Sequence, residues 1–389
     1  VVASLFKKKS VGVTVIDLPP RGRLVRSSFK VERLAGGNLA DWPSIADDRD
    51  LRMYVFQSRE FLDIWLDTIG KASRMEPCFI VVKDADGRPV LYLPLIVETK
   101  FNVRLLRFMD CGVADYNAPI VAADRTLSRQ EFHDVWADVL ALLPNFDVID
   151  LKKIASDVTG AFNPLTYLDC SPFGDSGHAI VLTRLRDQTD TRRAVARQRR
   201  KLQSYGNKLS QIGEPRFIVN PAAAEAARVT ERLLELKRQK YQRTSTPDFL
   251  AAPGVERFYR EMMSPARLGT ISHLSALTIG DTVASAHLGF IGRGRFYYIF
   301  PAYDTAFGRH RVGHLLLQHL IDQSVAQDFA TFDLGIGDDS YKNKWATHHL
   351  ALQTHERAVT AAGRVYLQMR RVGRFVSTSG IRTWFKTAS

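Results

Sequence analysis

The 389-residue chain is short of several things, and each shortage excludes a class of protein. It has three cysteines, Cys78, Cys111 and Cys170, an odd number, widely spaced and without a C-x-x-C pair. That excludes a disulfide framework and suits reduced, mostly buried thiols in the cytoplasm. No apolar run reaches the ~20 residues that span a bilayer. The paired histidines, His310/His314 and His348/His349, have no supporting carboxylate or thiol pattern, so they read as surface or phosphate-facing residues and no metal is expected. Acidic residues are outnumbered, 41 against 54 Lys and Arg, for a formal charge of +13. Such a surplus points to an anionic partner: a phosphorylated ligand, a membrane surface or nucleic acid. The basic residues are concentrated without an RNA-binding motif, so no specific nucleic acid is expected.

What is present is enough apolar material, 45% of residues, for more than one domain. Residues 1–28 mix Lys7–Lys9 with Pro19-Pro20 and lack a signal-like apolar core, so they read as a flexible leader. Residues 29–182 form a first lobe, in which a hairpin turns at Asp84-Ala-Asp-Gly87 between two apolar strands. Residues 183–214 make a basic linker helix carrying Arg192, Arg193, Arg197, Arg199, Arg200, Lys201 and Lys208. It reads equally as a solvated bridge or as a phosphate-binding surface. Residues 215–360 form a second lobe closed by a strand over His348–Val359, and residues 361–389 an amphipathic, basic tail. That tail suits docking on the chain's own surface or peripheral contact with an anionic inner membrane.

The most informative stretch is Arg295–Trp345. An aromatic strand, Arg295–Phe300, leads through a loop to a segment with Val312, Leu316, Leu317, Leu320, Ile321 and Val325 at helical spacing. A second strand, Ala330–Gly335, follows, so the unit is βαβ, with a parallel pair and a right-handed crossover. At the helix start, Arg309-His-Arg-Val-Gly313-His314 places basic side chains and a glycine where backbone N–H groups lack helical partners. Such a start favours an anion.

The run Tyr297–Asp304, Gly313 opening a leucine-rich helix, Asp333-Leu-Gly-Ile-Gly-Asp338 and Tyr341-Lys-x-x-Trp345 resembles the GNAT-fold acetyltransferases of the CelD/BcsL type. Asp115-Tyr-Asn-Ala-Pro119 resembles a further element of that family. The family is associated with cellulose, holdfast and other exopolysaccharide production and is similar in fold to the FemABX transferases, with two GNAT-like halves. The resemblance implies a mixed α/β (α+β) fold of tandem GNAT-like lobes joined by the basic helix. It implies an acyl-CoA-dependent N-acetyltransferase using acetyl-CoA or another acyl-CoA, acting on an amino-sugar or polysaccharide precursor, a small-molecule or lipid-linked anionic sugar. Phe300, Arg311, Val312, Gly313 and His314 would hold the cofactor, although His310 and Leu315 occupy the outer positions of the usual pyrophosphate loop. Tyr341 would protonate the leaving thiolate, with Asp304 or Asp333 as general base. Asp115, Tyr116, Tyr303, Asp338, Lys342, Arg197 and Arg200 would meet the acceptor. Two other readings stand beside this one: aminoacyl transfer from aminoacyl-tRNA, and a catalytically degenerate scaffold of polysaccharide assembly.

Overall fold

The computed structural model describes residues 28–34, 39–46, 49–73, 75–183 and 189–377; the leader and the last twelve residues of the tail lie outside the described residues. Eighteen strands are described, most of them in two large mixed sheets. The first half supplies β1 (Lys30–Arg33), β2 (Leu51–Arg52), β3 (Glu76–Lys83), β4 (Pro89–Lys100), β5 (Val103–Phe108), β6 (Ile120–Ala122) and β7 (Val148–Ala155). A small hairpin, β8 (Asp157–Val158) with β9 (Ala161–Phe162), precedes β10 (Ser171–Pro172) and β11 (Gly177–Val181). The second half supplies β12 (Pro215–Val219), β13 (Ser272–Ile279), β14 (Thr282–Gly292), β15 (Arg295–Tyr303), β16 (Thr331–Ile336), β17 (His348–Leu350) and β18 (Leu352–Ala358).

The main path of one sheet runs β1-β3-β4-β5-β7-β18-β10, and the other runs β12-β13-β14-β15-β16-β11-β17. The sense of pairing is the same step by step, antiparallel throughout except for one parallel pair at the fourth step. That pair is β5–β7 in the first sheet and β15–β16 in the second. The molecule is therefore a tandem repeat of one mixed α/β fold. Central strands such as β4, buried from Val90 to Val97, lack the alternation of a half-wet strand because both faces are covered.

Two strands cross between the halves. β11, expected in the first lobe, lies between β16 and β17 of the second sheet. The closing strand expected over His348–Val359 is split at Ala351: β17 stays with the second sheet, whereas β18 pairs with β7 of the first. Each sheet's sixth position is thus filled by the opposite half, which ties the lobes together through backbone hydrogen bonds.

The longer helices and the one that follows β16 are α1 (Arg59–Trp65), α2 (Arg129–Leu142), α3 (Thr189–Leu209), α4 (Ala223–Arg243), α5 (Val255–Met262), α6 (Val312–Ala326), α7 (Lys342–Trp345) and α8 (Ala361–Ser377). Helix α2 is the crossover between β5 and β7, and α6 the crossover between β15 and β16. The basic helix α3 packs on the second lobe. It buries Leu202 and Leu209 in the cluster that also holds Val312, Leu316 and Leu320 of α6. Helix α8, the start of the basic tail, docks on the first sheet, where Leu367 packs with Val103, Leu105 and Val148.

Candidate functional site

The parallel pair β15–β16 is short. Its register runs Arg295↔Thr331, Phe296↔Phe332 and Tyr297↔Asp333, and there it ends. On the other side of β15 the ladder to β14 skips a residue, pairing Gly289 with Tyr298 and Leu288 with Phe300. Ile299 is the extra residue of a β-bulge, which bends β15 and raises its local twist. The two parallel strands consequently diverge from Tyr298 onward. Ile299 and Phe300 on one arm, and Ile336 and Gly337 beyond the other, line a cleft of about 890 Å³ whose opposite wall is the first sheet.

Asp115, from the first lobe, reaches into that divergence. Its Oδ2 accepts the Ile336 N–H at 3.0 Å. Gly335 has a φ of 75°, and a Cβ there would overlap Asp115 Oδ2 and lie 3.5 Å from the Tyr298 carbonyl oxygen. The carboxylate therefore sits between β15 and β16 and opens on the cleft. Burial raises its pKa above the usual carboxylate value; Lys342 and Lys153 oppose this without reversing it. A carboxylate so placed is a competent proton acceptor.

Helix α6 begins beside the same opening. Its N-cap, Arg311, is in the left-handed region at φ 58° and offers no side-chain cap. The side chains of first-turn His314 and of Tyr341 meet edge to face, 6.0 Å between ring centroids. Burial, and then the cations of Arg311 and Lys344, hold the His314 imidazole below its ordinary pKa. Tyr303, 44% exposed, lies over Gly313, where an added Cβ would be 3.4 Å from the ring. Tyr341 is half-buried; burial, followed by Tyr298, Asp339 and Asp115, pushes its phenol well above the ordinary value. It is a neutral donor at pH 7. An uncapped helix N-terminus, a residue without a Cβ and flanking arginines fit the pyrophosphate of an acyl-CoA. His310, at an outer loop position, is buried and accepts the Arg309 Nε–H at 2.9 Å.

Several expected site residues have other employment. Asp333 is buried; its Oδ1 accepts the Tyr116 hydroxyl at 2.7 Å and the Gly335 N–H at 2.8 Å, and its Oδ2 accepts from Arg295 at 2.7 Å. Asp333 and Tyr116 thus form a knot between the lobes rather than a base and an acceptor contact. Asp304 caps the turn after β15 by accepting the Ala306 N–H, and pairs with Arg232 at 2.6 Å. Asp338 accepts from His178 at 2.9 Å, and His178 in turn meets His349. Lys342 is buried, and its ammonium donates to the Ile336 carbonyl, the residue whose N–H holds Asp115. It orders the floor of the opening rather than facing the acceptor.

Arg197 and Arg200 are exposed on α3. That helix runs antiparallel to α6, with Arg199 paired to Asp322 near the far end of α6 and Tyr205 beside Arg311 at its start. Arg197 therefore lies roughly 12 Å along α3 from Tyr205, away from the opening.

Lys237 escaped the sequence reading. It is fully buried on α4, its ammonium has no hydrogen-bond partner, and it lies 4.0 Å above the Phe300 ring. Burial first, then Lys240 and Lys342, holds it well below the ordinary lysine value. Its helical position behind Val229 and Leu233, on the apolar face of α4, is the only sequence signal that marks it. Among the described residues no group of three or more His, Cys, Asp or Glu is placed to hold a metal ion. No described helix is long and apolar enough to cross a membrane.

Comparison with known proteins bears on the fold. Residues 190–343, which contain β12–β16, α6 and the start of α7, match the family described as "Acetyltransferase (GNAT) domain". The chain therefore carries a GNAT-fold acetyltransferase-type domain in its second half. Among solved structures, a conserved protein of unknown function from Bacteroides thetaiotaomicron is 8% identical over 81% of this chain and 94% of its own, with a TM-score of 0.51. FemX is 11% identical over 78% of this chain and 92% of its own, also with a TM-score of 0.51. Likenesses at such identity establish the shared fold. No curated protein matches the chain.

Proposed function

We propose that the protein is an acyl-CoA-dependent N-acyltransferase, with the acyl donor in the opening of the second sheet and the acceptor amine in the cleft between lobes. One observation carries this reading: Asp115, delivered by the first lobe, sits between the diverging strands β15 and β16, where a reacting carbonyl would lie on a sheet of this kind. Acyl-CoA supplies an activated thioester when bound. The first-turn N–H groups of Val312 and Gly313, with the side chains of Arg311 and His314, would hold its phosphates. The backbone of β15 beyond Tyr297 offers N–H donors for the developing oxyanion. Asp115 takes the proton that the acceptor amine loses, and Tyr341 returns one to the departing sulfur.

The acetyl group as acyl chain and an amino sugar or polysaccharide precursor as acceptor are the finer parts of the proposal. They rest on the resemblance to the CelD/BcsL-type proteins.

The test is product formation from acetyl-CoA and nucleotide- or lipid-linked amino sugars, followed by mass spectrometry. Tyr341→Phe keeps the ring and removes one donor, so turnover should fall by ~100-fold with CoA affinity kept. Wild-type turnover in a Tyr341→Phe enzyme would remove that assignment.

A further inference from the structure

The most exposed of the large apolar side chains among the described residues is out of place for a solvated loop. Phe101, 90% exposed, is one of the two residues at the tip of the β4–β5 hairpin, both with positive φ, Phe101 at 49° and Asn102 at 59°. Lys100, the preceding residue, is part of the cleft wall. Val103, two residues on, packs against Leu367 of α8. The outer face of α8 carries Val365, Met369 and Val372, exposed by 51, 66 and 62%. Their spacing of four and three residues aligns them in one stripe. Exposed Arg364 and Arg371, seven residues apart, lie together on one side of the stripe on the same helix. The helix is pinned by Arg370, which pairs with Asp150, another residue of the cleft wall.

Apolar side chains that stand in water beside cations, on the rim of a substrate cleft, match the surface of an anionic bilayer. Phe101 and the stripe would enter the acyl boundary, with Lys100, Arg364 and Arg371 at the level of the phosphates. The net charge of +13 adds long-range attraction of the right sign. We propose that the β4–β5 hairpin tip and the outer face of α8 form a docking surface for anionic lipid, and that docking brings the cleft mouth to the membrane. The second clause rests on the reading of the cleft as the acceptor site; the first does not. An acceptor carried on a lipid would then enter from the bilayer instead of from solution.

The experiment uses the full chain and sedimentation with vesicles of phosphatidylcholine, alone or mixed with phosphatidylglycerol. The wild-type protein should sediment with the mixed vesicles, release with added salt, and stay in solution with phosphatidylcholine alone. The combined variant Phe101→Ser, Val365→Ser, Met369→Ser and Val372→Ser changes only exposed side chains, so it should keep its melting temperature while vesicle affinity drops by ~10-fold or more. Three results would overturn the proposal. The wild-type chain ignores anionic vesicles; the variant binds them as well as the wild type; or the patch mediates self-association that the variant abolishes without altering vesicle binding. Acyl-CoA binding measured on the same variant keeps the two readings apart, because it should be unchanged whether or not docking fails.

Discussion

The two crossover helices occupy the same place in the two sheets but begin in opposite ways. Helix α2 of the first lobe opens with a closed cap: Ser128 accepts the Glu131 N–H, and Glu131 accepts the Ser128 N–H at 2.7 Å. Its first-turn donors are spoken for by its own chain. Helix α6 of the second lobe opens without a side-chain cap, behind Arg309 and Arg311. The divergences beside them differ likewise. Beyond β5–β7, the loop of residues 110–118 fills the gap: Asn117 exchanges backbone bonds with Lys153 and Ala155, and Lys153 pairs with Asp110 at 2.7 Å. Beyond β15–β16 the gap faces the cleft and receives Asp115 from that same loop. On the proposed function the two copies of the scaffold divide the labour. One presents an uncapped helix start to the acyl donor, and the other uses its gap-filling loop to bring a carboxylate to the cleft.

That comparison breaks most severely at Asp115. Asp115→Asn preserves the acceptor for the Ile336 N–H and removes the base, so turnover should fall by ~100-fold or more. Because burial raises its folded pKa, the fold disfavours the ionised form, and its contribution to stability is lost as pH rises through that raised value. The Asn variant should accordingly melt no lower than wild type at pH 7. The acid limb of the wild-type pH–rate profile should disappear with it. Unchanged turnover would show that the base is elsewhere.

A purely structural comparison lies between the buried histidines of the second sheet and the buried carboxylates of the first. Burial lowers His273 to about 4, so above its unfolded value of 6.5 the group is neutral in both states and stability is intact. As pH falls from 6.5 towards 4, the unfolded chain binds the proton first, and about 3 kcal/mol of stability should be lost. His273→Phe should flatten that window in urea titrations across pH. Asp110 and Asp150 are held below the ordinary value of 3.8, burial being outweighed by Lys153 and by Lys152 with Arg370, and so act only at lower pH.

The interlobe knot gives a smaller effect. Tyr116→Phe deprives Asp333 of one donor in a buried site, and chemical denaturation should show a loss of ~1–3 kcal/mol. A single cooperative transition should persist, because the exchanged strands β11 and β18 still join the lobes. Ser128→Ala opens the cap of α2 and should cost ~1 kcal/mol.

Much of the second lobe was legible because its signals are local. The aromatic run, the glycine at the helix start and the leucine spacing lie within Arg295–Gln327, and they gave the βαβ unit and its anion-ready end. The exchange of β11 and β18 was not legible, since a strand's sequence records that it is buried and not which sheet buries it. His348–Val359 reads as one strand, and only Ala351 separates the residues that belong to different sheets. The carboxylates could not be told apart in the sequence for the same reason. Asp304 follows β15, Asp333 lies within β16 and Asp115 stands in the loop between β5 and β6, and what separates them is partners distant in sequence: Arg232, Tyr116 and the Ile336 amide.

The most direct test of the division between the lobes is calorimetric titration of CoA into matched charge insertions at the two crossover helices. Gly313→Glu places a carboxylate and added bulk at the start of α6; Ser128→Glu places a carboxylate at the start of α2. Binding should be lost in the folded Gly313→Glu protein and retained in Ser128→Glu. Wild-type affinity in Gly313→Glu, or its loss in Ser128→Glu alone, would contradict the assignment of acyl-CoA to the second lobe.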